Sequence, residues 1–252
     1  MQLKPYYYRG TNLRFYAFVL KNFKNRANTC LNTACKIWRY QPMTTKERGF
    51  FLVLEGLPGS GKTTVGQLLE ELGWIFFPEV ATLLGAKGVP IGDRGDTSSD
   101  LLIFAEEFRR VEDIKRHILE GRNVVVDSYF PTDLSFAFAR CKQNQSTCYP
   151  TCLNQYLNAQ TSGAIPKPDL YVHLNIPLKD SVTRQRNRKK DDFTTLNMSL
   201  LRDVKRHLSF VHEIFEREIP VFRFDARKSQ KEIVQAVLTF VERQHKGSWR
   251  LR

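Results

Sequence analysis

The sequence predicts an α/β fold, a five-stranded parallel sheet with helices on both faces and a lid. Three observations carry this expectation. Five short apolar runs alternate with stretches of helical periodicity. A glycine-rich segment ending in Lys-Thr lies between the first run and the first helix. The second and third runs each end in a carboxylate, Glu79 and Asp127, where a parallel sheet gathers its strand ends along one edge.

The first run, residues 49–56, is continuously apolar, as a strand buried on both faces should be. Gly56, Leu57, Pro58, Gly59, Ser60, Gly61, Lys62 and Thr63 follow the pattern G-x-x-x-x-G-K-Ser/Thr, with Thr64 next and a helical pattern over 61–72. Strand, loop and helix in that order form a phosphate-binding loop. The glycines let the backbone N–H groups turn inward around phosphate oxygens, and the helix N-terminus adds a positive dipole end. Lys62 supplies a point charge to the β- and γ-phosphates, and Thr63 a hydroxyl for Mg²⁺. The expected fold is therefore the three-layer P-loop nucleoside triphosphate hydrolase fold.

The second strand is expected over 74–80. Glu79 at its end faces the cleft, where it could accept a proton from a hydroxyl nucleophile or orient it. Residues 85–100 are glycine-rich and polar and read as a loop; Ser98 or Ser99 would cap the helix of 99–120, and Arg94 or Lys87 could meet an acceptor. The third strand, 123–128, is three valines followed by Asp127, the pattern in which the carboxylate helps hold Mg²⁺. Helical periodicity then covers 131–160, and strands 170–176 and 220–226 bracket helices 178–189 and 198–218, with a last helix over 228–245. Five cations fall between Arg184 and Lys190. Arg184 and Arg188 share a helix face and Arg186 points elsewhere. A charge run is usually a solvated face, but its place after a strand and ahead of a polar loop argues for a lid whose guanidinium groups stabilise charge on a transferring phosphoryl group.

The 252 residues carry a net charge of +13, unevenly spread. Residues 1–42 hold eight Lys or Arg and no acid, leaving 31 basic and 26 acidic residues in the remainder. The chain is read as a basic aromatic extension, 1–42, outside a kinase domain of 43–252. The extension is foremost an appendage, with a mitochondrial targeting segment or a polyanion-binding arm as alternatives. No apolar run is long enough to span a bilayer. The five cysteines form no disulfide framework, and Cys141, Cys148 and Cys152 lack a zinc-like spacing. His117 and His212 are expected on helix surfaces. A cytoplasmic location is expected, with the mitochondrion as the alternative.

Together these segments resemble the thymidylate kinase and deoxynucleoside kinase group of P-loop kinases over nearly all of 49–245. The stretch from Asp127 through Ser128, Tyr129, Ser135 and Phe136 resembles the group's Asp-Arg-Tyr strand end. Residues 168–177 resemble its Pro-Asp-Leu strand, Arg184, Arg186 and Arg188 its lid arginines, and Phe224-Asp225-Ala226 its last strand. The resemblance implies ATP as donor, Mg²⁺, a nucleoside or nucleotide acceptor, and a homodimer as a further partner. Two departures stand out. Ser128 replaces an arginine that in thymidylate kinases meets the acceptor's phosphate, and the segment after the second strand lacks the usual acceptor loop. That segment is more like P-loop families related to nicotinamide riboside kinase. Both departures suit an acceptor with a free hydroxyl. The sequence therefore points to ATP-dependent phosphoryl transfer to a nucleoside or nucleoside monophosphate. The alternatives are a nucleotide-binding regulator and a kinase of another small acceptor. Either Glu79 or Asp127 would position the acceptor oxygen.

Overall fold

Five strands form one parallel sheet in the order β2-β3-β1-β4-β5 in a computed structural model of the chain. The structure describes residues 48–187, 195–215 and 218–245, all within the second of the chain's two units, Lys46–Arg252. The readings of residues 1–42 and of Arg188 lie outside the described residues. The strands are β1 (Phe51–Glu55), β2 (Ile75–Phe77), β3 (Val124–Asp127), β4 (Leu170–Asn175) and β5 (Val221–Asp225). All five β1 residues are buried, because β1 is central in the sheet and covered on both faces. Its partners fix the register: Leu54 sits opposite Asp127 on one side, and Glu55 opposite His173 on the other. Parallel pairing brings Glu55, Phe77, Asp127, Asn175 and Asp225 to one edge.

The eight α-helices among the described residues are α1 (Lys62–Glu70), α2 (Val80–Gly85), α3 (Thr97–Leu119), α4 (Phe130–Lys142), α5 (Tyr149–Thr161), α6 (Leu178–Asn187), α7 (Met198–Phe215) and α8 (Gln230–His245). On one side of the sheet, Val65 and Leu69 of α1 and Ile233 and Val237 of α8 join Leu52, Leu54 and Val172 in one apolar cluster. The other side is aromatic. Tyr129 meets Phe51 edge-on at 5.7 Å, and Phe130 meets Tyr129 at 4.7 Å and Tyr156 at 5.3 Å between ring centroids. No helix among the described residues is long and apolar enough to cross a membrane.

The structure corrects four local expectations. The single helix expected over 131–160 is two, α4 and α5. Asn144 takes a left-handed conformation (φ 58°), and Pro150 lies in the first turn of α5, the one part of a helix that tolerates its missing N–H. The cap of α3 is Asp96, not Ser98 or Ser99. Ser99 N donates to Asp96 Oδ1 at 2.9 Å, and Asp96 N donates back to Ser99 Oγ at 2.7 Å. α2 turns directly out of β2, where no helix was expected. Finally, His212 is fully buried and His117 is partly buried. His212 Nδ1 lies 2.7 Å from His173 Nδ1, and burial holds the His212 imidazole well below its ordinary range.

Candidate functional site

The phosphate loop folds as its glycines dictate. Gly56, Gly59 and Gly61 all have positive φ, at 142°, 79° and 98°. Gly59 also meets α6 closely: a Cβ there would lie 3.1 Å from Ser181 O. Ser181 Oγ donates to Pro58 O at 2.7 Å, and Arg184, one turn later, donates from Nη1 to Gly59 O at 3.2 Å and to Ala226 O at 3.1 Å. Arg184 thus braces the loop against the end of β5. Arg186 is exposed on the same helix. Ser60 Oγ is buried with no hydrogen-bond partner among the described residues.

Lys62 is buried and curls back over the loop. Its Nζ donates to Gly56 O at 3.0 Å and lies 3.8 Å from Asp127 Oδ1. Thr63 Oγ1 donates to Asp127 Oδ2 at 2.5 Å. The three residues that the sequence assigns to phosphate and Mg²⁺ therefore converge, although Asp127 is 64 residues from Thr63. Burial pushes the Asp127 carboxyl above its ordinary range; Lys62 opposes the shift and Glu79 adds to it. The Thr63 hydroxyl and the Asp127 carboxylate are two hard oxygen donors side by side at the mouth of the loop, a donor set that suits Mg²⁺.

Glu79 stands across the cleft at the start of α2. It accepts from Thr82 Oγ1 at 2.9 Å and from Ser128 Oγ at 3.4 Å. Ser128 is buried and left-handed (φ 62°), and its carbonyl accepts from Arg110 Nη2 at 2.6 Å. Such backbone strain in a non-glycine residue next to a candidate ligand is common at functional sites.

A cleft of about 350 Å³ runs from the loop past Glu79 and Thr82 to a wall built by α3 and α4. On that wall are Asp100 and Ile103 of α3, and Thr132, Asp133, Phe136 and Arg140 of α4. None of these wall residues was assigned a site role from sequence. Arg140 and Asp100 form a buried ion pair, and the Arg140 guanidinium lies 5.2 Å from the Phe136 ring centroid. Beside it, Arg110 is held by Glu107 at 2.5 Å. Below the loop, Glu55 is fully buried and ties the two sides of the cleft together. It accepts from the hydroxyl of Thr132 and from Tyr129 N at 3.3 Å. Burial pushes its carboxyl up to about 8, against the pull of Thr132 and Lys62. Asp133 is driven well above the carboxylate range by burial and by Glu107. The spacing of Thr132, Phe136 and Arg140 along one helical face is the signal that could have found this wall.

No family model matches the chain. Among curated relatives, a probable thymidylate kinase of Pyrococcus abyssi is 29% identical over 220 residues, covering 79% of this chain and 99% of the relative. A probable thymidylate kinase of Pyrococcus horikoshii is 32% identical over 158 residues, covering 54% of this chain and 70% of the relative. Among solved structures, a deoxyadenosine kinase from M. mycoides superposes with a TM-score of 0.59 at 14% identity, over 76% of this chain and 98% of that one. At that identity the likeness speaks for the fold alone, which is that of the P-loop kinases. The relatives favour phosphoryl transfer over a nucleotide-binding regulator or a kinase of another small acceptor.

Proposed function

The chain belongs to the thymidylate kinase family, and from that premise we propose that it moves the γ-phosphoryl group of ATP to a nucleoside or nucleoside monophosphate, with Mg²⁺. It is a nucleotide kinase. The observation that carries the site assignment is the convergence of Lys62, Thr63 and Asp127 at the mouth of the loop.

In this reading the backbone N–H groups of residues 56–64 and the N-terminus of α1 hold the donor phosphates. Lys62 lies between the loop and Asp127, where its ammonium meets the β- and γ-phosphates. Thr63 and Asp127 would hold Mg²⁺, which when bound supplies charge neutralisation for the phosphates. Arg184, Arg186 and Arg188 are the proposed lid charges. Arg184 already stands on the loop, where a guanidinium can reach a phosphate seated on the same backbone. Either Glu79 or Asp127 orients the acceptor oxygen: Glu79 lines the cleft together with Lys62, and Asp127 lies 3.8 Å from the Lys62 ammonium. The wall of α3 and α4 offers Phe136 as an apolar face for a base.

The proposal extends to the rest of the chain. Residues 1–42 are an extension outside the kinase domain of 43–252, with polyanion binding as its readiest test, and a homodimer is the expected assembly. Cys141, Cys148 and Cys152 are free thiols, which supports a reducing compartment, the cytoplasm or alternatively the mitochondrion.

The experiment is Lys62→Ala, followed by coupled detection of ADP with nucleosides and monophosphates as acceptors. Turnover falls by about 10³-fold, as for loss of a principal charge at a transferring group, while far-ultraviolet circular dichroism stays unchanged. Full activity in that variant removes the assignment.

A further inference from the structure

We propose that Asp93 is a positioning residue for phosphoryl transfer: it ties the acceptor wall to helix α6, and so fixes where the acceptor stands relative to the phosphates on the loop. The inference rests on the kinase reading above and adds a residue which that reading does not use.

The wall reaches Asp93 through Arg140. The short 3₁₀ turn Gly92–Arg94 and the glycine after it pack on the Arg140 guanidinium. Gly92 O accepts from Arg140 Nη2 at 3.1 Å, and a Cβ on Gly95 would stand 2.5 Å from the guanidinium carbon. Gly92 is left-handed (φ 61°), a conformation open to it because it has no Cβ. Asp93, the next residue, bonds to a segment 103 residues further on. Its Oδ2 accepts from Leu196 N at 2.7 Å and its Oδ1 from Asn197 N at 3.1 Å. A carboxylate that takes two backbone donors on two oxygens is held in one orientation.

That segment is in turn fixed to α6. Thr195 N donates to Gln185 Oε1 and Gln185 Nε2 donates to Thr195 O, both at 2.9 Å, and both residues are buried. Gln185 stands next to Arg184, which holds Gly59 O, and one turn after Ser181, which holds Pro58 O. A continuous line of hydrogen bonds and adjoining residues therefore joins Arg140 to the phosphate loop. Gly92, Arg140, Gln185 and Thr195 all line the cleft, so the line runs along the cleft itself.

Transfer requires the acceptor oxygen, the γ-phosphorus and the leaving oxygen to be roughly in line. The donor phosphates take their place from the loop and α6, and the acceptor takes its place from the α3–α4 wall. Their alignment depends on what holds one side to the other. Glu55 is one such link, through Thr132. Asp93 is a second, through α6. The competing account is that Asp93 only steadies the start of α7. Asn197 separates the two, because its side chain caps α7 at Ser199 N and Leu200 N, at 3.0 and 3.1 Å, whereas Asp93 holds it by its backbone.

The test measures ADP formation by the full chain with ATP, Mg²⁺ and the four deoxynucleosides and their 5′-monophosphates, and takes the best acceptor forward. Asp93→Ala is expected to lower kcat by at least about 10-fold, since a displacement of about 1 Å at the reacting atoms is worth about 100-fold. The Kd of a fluorescent ATP analogue and the KM of the acceptor are expected to stay within about threefold, the pattern of an interaction that matters in the transition state. Asp93→Asn sets an amide N–H against one of the two backbone donors and is expected to lie between Asp93→Ala and the native chain. Asn197→Ala is expected to lower Tm about as much as Asp93→Ala and to leave kcat near native. A native kcat in Asp93→Ala overturns the proposal and leaves the kinase reading standing. So does an equal loss of kcat in Asn197→Ala, because the stability of α7 then accounts for both. If Asp93→Ala does not fold, Asp93→Asn decides: a reduced kcat at native ATP-analogue affinity supports the proposal, and a native kcat overturns it. Absence of ADP formation by the native chain with every acceptor overturns both the proposal and the kinase reading.

Discussion

The donor side of the cleft and the acceptor side are built in opposite ways. The donor side is one stretch of chain, Glu55 to Thr64, shaped by backbone: three glycines at positive φ, a lysine folded onto its own loop, and the first turn of α1. The acceptor side is assembled from β2, α3, β3 and α4, and is held by side chains: Asp100 with Arg140, Glu107 with Arg110, and Arg110 with the Ser128 carbonyl. A backbone cradle binds a group common to all nucleotides, so its requirements are short-range and recur as a contiguous pattern. A pocket that selects one acceptor needs side chains from distant elements, and its requirements are met only after folding.

The largest break in that comparison is Arg140→Met. Removing one partner of a buried ion pair leaves Asp100 uncompensated, which costs about 3 kcal/mol. Urea denaturation should report that loss, and Arg140→Met combined with Asp100→Leu should recover most of it. The Kd of an ATP analogue should be unchanged in the double variant, while the KM for the acceptor rises. Unchanged stability in Arg140→Met would mean that the wall is not held by this pair.

Glu55 tests the joint between the two sides. Its folded-state value, about 8, lies above its ordinary 4.5. The protonated form therefore favours the folded state. That contribution is full below pH 4.5 and is lost as pH rises toward 8. Between pH 6 and pH 8 the native chain should lose about 2 kcal/mol more than Glu55→Gln does, since a proton held by the folded chain and not by the unfolded one is worth about 1.36 kcal/mol per pH unit. Glutamine keeps an acceptor for Tyr129 N and a group for the Thr132 hydroxyl and does not titrate, so the two proteins should be close in stability below pH 4.5, with Glu55→Gln the more stable above it. Parallel stability curves across this range would separate Glu55 from the joint.

The same contrast explains what could be read in advance. The alternation of strands and helices, the loop and the Asp127 strand end were visible because each is a local pattern: an apolar run, a glycine spacing, three valines before an acid. Glu79 was visible for the same reason. The α3–α4 wall was not, because Asp100 and Arg140 lie 40 residues apart and nothing near either one marks the other as its partner. α4 also reads as an ordinary helix, its polar residues indistinguishable from a solvated face until Thr132 and Arg140 prove to be buried. Reading 131–160 as one helix hid the break at Asn144 that lets α5 turn back against α4. His212 was misplaced because a lone histidine on an amphipathic helix gives no sign of the second histidine, His173, that β4 brings against it.

The smallest effect belongs to the donor side, where Gly59→Ala asks how much the backbone shape alone contributes. Gly59 has φ 79°, and an alanine Cβ would come within 3.1 Å of Ser181 O and 3.4 Å of Arg184 Cβ. The left-handed conformation costs a residue with a Cβ about 1 kcal/mol, and the contact with α6 pushes the loop away from the helix that braces it. Ser181 Oγ and Arg184 would then lengthen their bonds to Pro58 O and Gly59 O. The expected result is a several-fold rise in the KM for ATP, a fall in Tm of a few degrees, and an unchanged KM for the acceptor. The acceptor KM decides the matter: the atoms nearest the new Cβ belong to α6 and not to the α3–α4 wall, so a shift there would show that the two sides are coupled through the loop as well as through Glu55.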